Sequence, residues 1–392
     1  MGLPLSYPVR NVRARLGRTA LTIGVIALAV IATSVFLALI TSLKRTLVAS
    51  GSPDNLIVLR KGSDNDGSSM LSLEAYQTVR FLDGIARLPD GSPLASPEMV
   101  LQPFVRTRAG GRENVLVRGV EAAALVVHDE VRLAEGRMFR PSEGEVVVGR
   151  AVARRYAGAE IGGEIFFGRR TYRVVGIFDA GGSSFESEIW GDARDLARDA
   201  TRPFPYSGIR LKVAPGADRQ ALIDRIERDP RYALQATSEV DYYAEQAKSS
   251  RTLYFLLVIL AVPIGIAAGF GAANTMFAAV QSRTVEIGTL RALGFSRGTI
   301  LRSFVLESLV LALVGFAVGA VGTLLVAMVL RIVLGGIAFG AQTFTTNVVT
   351  LRVSAGDLGV ALLFASVIGL AGGLLPAWHA ASLRPVEALR KA

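Results

Sequence analysis

The chain has 392 residues, 51% of them hydrophobic and 19% charged, with a formal net charge of +10 and no cysteine. A mean hydropathy of +0.42 is too apolar for an ordinary soluble protein of this length, while the charged fraction is too large for a pure membrane bundle. A wholly soluble chain and a wholly embedded one are both excluded, and any water-facing part must bury a core without disulfides.

Val9, Val12 and Leu16 recur at helical spacing opposite several arginines, which suits an amphipathic helix over 1–19 on the inner membrane surface, the alternative being a disordered basic tail. Ala20 to Ile40 carries no charge and reaches the ~20 residues needed to cross ~30 Å of hydrocarbon. It exceeds the ~7–15 residues of a signal-peptide core, so 20–43 is read as a retained first span with the start of a stalk.

Residues 44–252 read as a mixed α+β domain. Asp54 to Lys61 alternates like a strand, and Leu73 to Ile85 has helical spacing. Extended runs follow at Met99 to Thr107 and Asn114 to Val120, while 84–114 is rich in Pro and Gly and is assigned no role. EVVVGRAVARRYAG predicts a buried strand turning into a helix at Gly149, and Gly163 to Ala180 a hairpin around GRR. The last third predicts a strand at Gly208 to Val213 and a helix at Ala217 to Arg228. A strand near Tyr232 to Thr237 follows, then a helix from about Glu239 that could run unbroken into the second span.

Three more apolar spans follow at 253–280, 304–330 and 358–378. Pro263 and Pro376 are expected to kink the second and fourth. Glycines recur along their faces, among them Gly265, Gly269, Gly315, Gly319, Gly322, Gly369, Gly372 and Gly373. Small residues at such spacing let helices approach closely, within or between subunits, and Gly315, Gly319 and Gly322 are the packing residues singled out. Glu307, at the inner end of the third span, is expected to reach the headgroups or to pair with Arg302 or Arg283.

Between the second and third spans lies a polar island, 281–303, too short to be a domain yet patterned. Ile287, Leu290 and Leu293 fall near one helical face, with Glu286, Thr289 and Arg291 turned elsewhere. Charge orients it. From Lys44 to Arg251 there are 30 Lys+Arg and 29 Asp+Glu, leaving 13 basic and 4 acidic residues in and beside the spans. Arg and Lys near the span ends number four at the N-terminus, four in the island and three in the tail 379–392, against two in the loop 331–357. The positive-inside rule then puts both termini and the island in the cytosol, and 44–252 with the loop 331–357 outside. The basic excess is thus a matter of membrane orientation, and no nucleic-acid partner is expected.

Catalytic constellations are absent from the sequence. It has no G-x-x-x-x-G-K-[ST] loop, no HExxH and no G-x-S-x-G, and His128 and His379 are far apart. Gly181, Gly182 and Ser183 read as a turn, and the acidic pairs Asp129 with Glu130 and Glu186 with Glu188 as solvated surface. No enzyme activity, metal or cofactor is expected on this chain.

One span, a large external domain and three further spans, with a cytosolic helix between the second and third, resemble the MacB/FtsX-like permease family of ABC transporters. The likeness is carried by NVRARLGRTALTIGVIALAV, by NTMFAAVQSRTVEIGTLRALGFSRGTILRSFVLESLVL (Asn274 to Leu311) and by GLLPAWHAASLRPVEALR (Gly373 to Arg390). In the domain it is carried by LAEGRMFRPSEGEVVVGRAVARRY and RRTYRVVGIFD. The resemblance implies an α-helical membrane protein with four transmembrane helices per chain and an extracytoplasmic α+β domain between helices 1 and 2, in a bacterial inner membrane. It implies a permease homodimer with a separate ABC ATP-binding subunit that holds ATP and magnesium, and in a two-membrane cell a periplasmic adaptor and outer-membrane channel. It also implies that Arg283, Glu286, Ile287, Leu290, Arg291, Ala292, Leu293 and Gly294 form a coupling helix docked on that subunit. Nucleotide-driven movement would pass up the stalk and reshape the external domain, a mechanism called mechanotransmission. Two functions fit the resemblance: export or extraction of a lipid, lipoprotein, peptide or drug, and FtsX-like activation of an external cell-wall hydrolase without transport.

Overall fold

The structure is a computed structural model that describes residues 16–200, 205–248, 250–334, 337–340, 346–349 and 351–383. Most of the amphipathic helix expected over 1–19, and the tail from 384 on, lie outside the described residues. Two compact units emerge: one draws on the chain up to Thr41, Thr252–Val329 and the part from Leu351 on, the other on Ser42–Arg251 with Leu330–Thr350.

The chain opens with α1 (Leu16–Val48), then β1 (Asn55–Arg60), α2 (Leu73–Val79), β2 (Ala95–Leu101), β3 (Phe104–Arg106), β4 (Arg112–Asn114) and β5 (Leu116–Val120). After α3 (Ala124–Val127) and β6 (Arg132–Gly136) come β7 (Glu145–Gly149), α4 (Arg150–Arg155), β8 (Glu164–Phe167) and β9 (Arg170–Asp179). A 3-10 turn (Ser184–Ser187) leads to β10 (Glu188–Asp192), α5 (Ala193–Ala200), β11 (Gly208–Lys212), α6 (Arg219–Glu227), β12 (Leu234–Ser238) and α7 (Glu239–Lys248). The remaining elements are α8 (Ser250–Ser282), α9 (Thr284–Ala292), α10 (Arg297–Leu334), β13 (Ile337–Gly340), β14 (Thr346–Val349) and α11 (Ala355–Ser382).

In the α/β unit a twisted sheet runs β12-β1-β11-β2-β5-β10-β7-β9-β6, with β8 also on β9. Most neighbours are antiparallel, whereas β10 with β5 and β7 with β9 are parallel. Period-2 alternation gives the two faces different interiors. Leu56, Val58, Ile209 and Leu211 face one side with Met99, Val117, Val146 and Val148, in two apolar clusters. Ile57, Leu59, Val147 and Trp190 face the other, joined by Phe185, Tyr242 and Tyr243 from the 3-10 turn and α7.

The elements expected from 44–252 are present with trimmed ends. The helix expected over Leu73 to Ile85 stops at Val79, after which Ile85 bridges to Val213. Its start is set by Ser72, whose hydroxyl accepts the Ala75 N–H at 3.2 Å. The segment 84–114, in which the sequence suggested nothing beyond one extended run, supplies β2, a central strand of the sheet, and the β3–β4 hairpin. β6 and β10 were not anticipated either. Within the loop 331–357, β13 and β14 pair antiparallel.

In the helical unit, four helices are long and apolar enough to cross a membrane: Thr19–Val48, Glu239–Ser282 (which runs over residues outside the described set), Arg297–Ile332 and Ala355–Ser382. Their contacts are close at the glycines. A Cβ on Gly319 would stand 2.7 Å from Val30 Cβ, one on Gly315 2.7 Å from Ile26 Cγ2, and one on Gly322 2.6 Å from Ile31 Cδ1. These three glycines therefore seat α10 on α1 of the same chain. Gly369 and Gly373 lie likewise against Ala312 and Ser308, and Gly372 against Ala272. Hydroxyls add cross-links: Thr22 donates to Thr275 at 2.6 Å, and Ser308 to the Gly369 carbonyl at 2.6 Å.

Candidate functional site

α9 is a nine-residue helix with a defined stop. At its C-terminus the Gly294 N–H donates to Arg291 O at 3.2 Å and the Phe295 N–H to Leu290 O at 3.1 Å. This pair of bonds is a Schellman stop, which needs a left-handed residue after the cap, and Gly294 has φ +94. The chain then restarts at once, the Ser296 hydroxyl accepting the Thr299 N–H at 3.2 Å to cap α10.

The candidate docking residues fall into two groups. Arg283 and Ile287 are buried in the chain's own helices, Ile287 beside Met276, Val280, Phe304 and Ala377. Leu290 packs half-buried on the same cluster. Arg283 Nη1 reaches the two Glu307 oxygens at 3.2 and 3.0 Å, so of the two expected partners Glu307 takes Arg283. Half-buried Arg291 donates to Phe295 O at 3.0 Å and braces its own turn. Glu286, Ala292, Leu293 and Gly294 are exposed, Leu293 at 71%. Leu293 thus parts from Ile287 and Leu290, with which its spacing grouped it: its N–H still bonds Thr289 O at 2.9 Å, and at 3.6 residues per turn six steps carry it about 120° round the helix from Ile287.

A second constellation lies inside the α/β unit. Arg118 grips Glu188 with two bonds, Nε to Oε2 at 2.7 Å and Nη2 to Oε1 at 2.6 Å, while its Nη1 reaches Glu98 at 2.8 Å and Asp66 at 3.3 Å. Arg210 also bonds Glu98, reaches Asp66 and the Tyr243 hydroxyl at 3.3 Å each, and donates from Nε to Glu239 at 2.9 Å. His128 Nε2 lies 2.6 Å from the other Glu98 oxygen, and Trp190 Nε1 donates to Glu188 at 2.8 Å. Adjacent strands place these groups on one face, since Arg210 pairs with Ser96, Val100 with Arg118, and Arg118 with Trp190. Glu188, at 3% exposure, is no solvated surface residue, which corrects the reading of the Glu186 and Glu188 pair. A one-dimensional view could register the charges but not the register that stacks them.

Burial alone would raise the Glu98 carboxyl, yet Arg210, His128 and Arg118 outweigh it and hold the group far below the usual carboxylate range. Burial likewise disfavours a charged His128, but the Glu98 carboxylate and, behind it, Glu130 prevail and push the imidazole up to about 9. Asp66 is held low by Arg118 and Arg210 against its burial. The network is an electrostatic tie between strands: its carboxylates are occupied by cations, and no group of three or more His, Asp or Glu among the described residues could hold a metal ion.

Comparison with known proteins follows the same division. The MacB-like periplasmic core domain matches residues 19–229, and the FtsX-like permease C-terminal domain matches residues 254–385. The Macrolide export ATP-binding/permease protein MacB of Bdellovibrio bacteriovorus is 29% identical over 384 residues, 89% of this chain and 55% of that protein. The protein of the same description from Neisseria meningitidis is 26% identical over 327 residues, 77% of this chain and 48% of its own length. Among solved structures, the periplasmic region of MacB from Actinobacillus actinomycetemcomitans aligns at 12% identity and a TM-score of 0.39, over 51% of this chain and 94% of that one. An apolar helical unit of permease type, with a MacB-like domain set between its first two long helices, defines the class. The chain belongs to the MacB/FtsX-like ABC permease family. It spans about half the length of the relatives it matches.

Proposed function

We propose that this chain is the permease subunit of an ABC transporter that turns ATP hydrolysis on a separate ATP-binding subunit into movement of its α/β domain. In this reading the four apolar helices span a bacterial inner membrane with both termini cytosolic, two copies form the working permease, and the α/β domain acts outside. The cargo is a lipid, lipoprotein, peptide or drug that is exported or extracted, with a periplasmic adaptor and outer-membrane channel where a second membrane exists. ATP and magnesium belong to the partner subunit.

The observation that carries the reading is the construction of α9. Its inner side is fastened by Ile287, Leu290 and the Arg283–Glu307 pair, while Glu286, Ala292 and Leu293 are presented outward. A helix so fastened passes a push on its tip to α8 and α10 without swinging freely, because packed interiors transmit displacement. A 71%-exposed leucine at a rigid, glycine-terminated corner suits insertion into an apolar cleft of a partner. The test is copurification of the ATP-binding subunit with the full chain in detergent. Leu293→Asp is expected to abolish it with membrane insertion intact, and undiminished copurification removes α9 from the docking role. Leu290→Asp is a poorer probe, because Leu290 also packs on the helical core.

A further inference from the structure

Within the α/β unit the segment after α1 and the start of α7 lie side by side, and one buried carboxylate binds them together. Glu239, the first residue of α7, is wholly buried. Its Oε2 accepts the Ser52 N–H at 3.2 Å and Asn55 Nδ2 at 2.9 Å, both on the segment arriving from α1. Its Oε1 accepts Arg210 Nε at 2.9 Å, which anchors the pair to β11. The backbones touch as well: a Cβ on Gly51 would lie 2.9 Å from Val240 Cα and 3.0 Å from Glu239 O. Asn55 extends the tie to Val127 O at 2.9 Å, and the Ser50 hydroxyl accepts the Ser184 N–H at 2.9 Å.

We infer that Glu239 is a positioning residue that locks the incoming and outgoing segments of the α/β unit into one joint, so that the domain ends of α1 and α7 turn together. A buried carboxylate with three donors is a stiff connection, since each charge-assisted bond is strong and an unmade one leaves a buried donor unsatisfied. Ion pairing within the core explains the Arg210 bond, but it does not explain why the other oxygen is spent on two groups of the incoming segment. The inference gives the proposed transmission a geometry: movement of either helix rotates the whole domain, whereas separate attachments would pry it open. It rests on that reading for its purpose but not for its test.

The chain has no native cysteine, so spin labels can be placed in pairs on the full-length protein in detergent, without nucleotide or partner. One pair, Val48→Cys with Ala244→Cys, reports the joint from the exposed end of α1 and an exposed site on α7. A second pair, Arg154→Cys with Arg198→Cys, reports α4 and α5, which pack on a different apolar cluster from α7. The isosteric Glu239→Gln is expected to at least double the width of the distance distribution of the first pair and leave the second unchanged. No broadening overturns the inference, and broadening of both pairs also overturns it by making Glu239 a general support of the core. Should that variant fail to fold, Asn55→Ala decides: broadening of the first pair alone upholds the joint, and no change refutes it. A negative copurification result for α9 leaves this outcome untouched.

Discussion

The two units bury their polar groups by opposite strategies. In the α/β unit, Arg118, Arg210, His128, Asp66, Glu98, Glu188 and Glu239 lie under the sheet, each at 5% exposure or less. The helical unit is built around Ala27, Ala29, Ala268, Ala312, Ala361 and Ala365, with glycines at the crossings, and its Arg283–Glu307 pair stands where α9 meets α10. On the proposed membrane placement, the difference follows from solvent. A sheet domain in water has ample apolar area to offset desolvating charges, provided they pair completely. Helices surrounded by apolar groups gain little from hydrophobic burial against one another, so they adhere by close backbone approach and by hydroxyl bonds such as Thr22 to Thr275.

Breaking the charge network should have the largest effect. Arg210→Met leaves buried Glu239 without its cation and Glu98 with only Arg118 and His128, and is expected to destabilise the α/β unit by about 3–5 kcal/mol. Thermal unfolding of the full chain, followed by near-ultraviolet circular dichroism of Trp190, measures it. A cost below about 1 kcal/mol would show that the network is dispensable.

pH should separate the units next. His128 titrates near 9 in the fold and at its ordinary 6.5 when unfolded, so the folded state holds the extra proton between these values. Its contribution is complete below pH 6.5 and is lost as pH rises through 9, a change of about 3 kcal/mol. The unfolding midpoint of the α/β unit is expected to fall across that window and to stay nearly level in His128→Gln. An equal fall in both proteins would assign the dependence to other groups.

Gly319→Ala probes the opposite strategy. Its methyl would meet Val30 Cβ at 2.7 Å, so α1 and α10 must separate, at a cost of about 1–3 kcal/mol. Thermal aggregation in detergent should show the loss with the α/β transition unchanged. The smallest effect on stability, within about 0.5 kcal/mol, is expected for exposed Leu293→Asp, even as partner binding disappears. A large loss of stability there would mean that Leu293 packs on its own chain.

Legibility differed between the units for the same physical reason. Long uncharged runs, the cationic flanks and the amphipathic island are one-dimensional signals, and all four apolar helices were expected close to where they occur. Asn55–Arg60, expected to alternate, is instead legible as the apolar run Leu56 to Leu59, buried on both faces, and the Glu164–Asp179 hairpin announced itself by alternation. β2 did not, because Ala95, Ser96, Pro97 and Glu98 are buried on both faces and show no apolar-polar period. Glu188 read as solvated for a similar reason: its partner Arg118 lies 70 residues away.

Sequence by itself determined the class, since hydropathy and charge asymmetry are local sums that need no partner. Tertiary structure decided everything that depends on pairing: that Arg283 takes Glu307, that Leu293 faces outward while Ile287 does not, and that Glu239 holds Ser52, Asn55 and Arg210 together. Those choices rest on distances between residues far apart in the chain, and the sheet register brings them within reach.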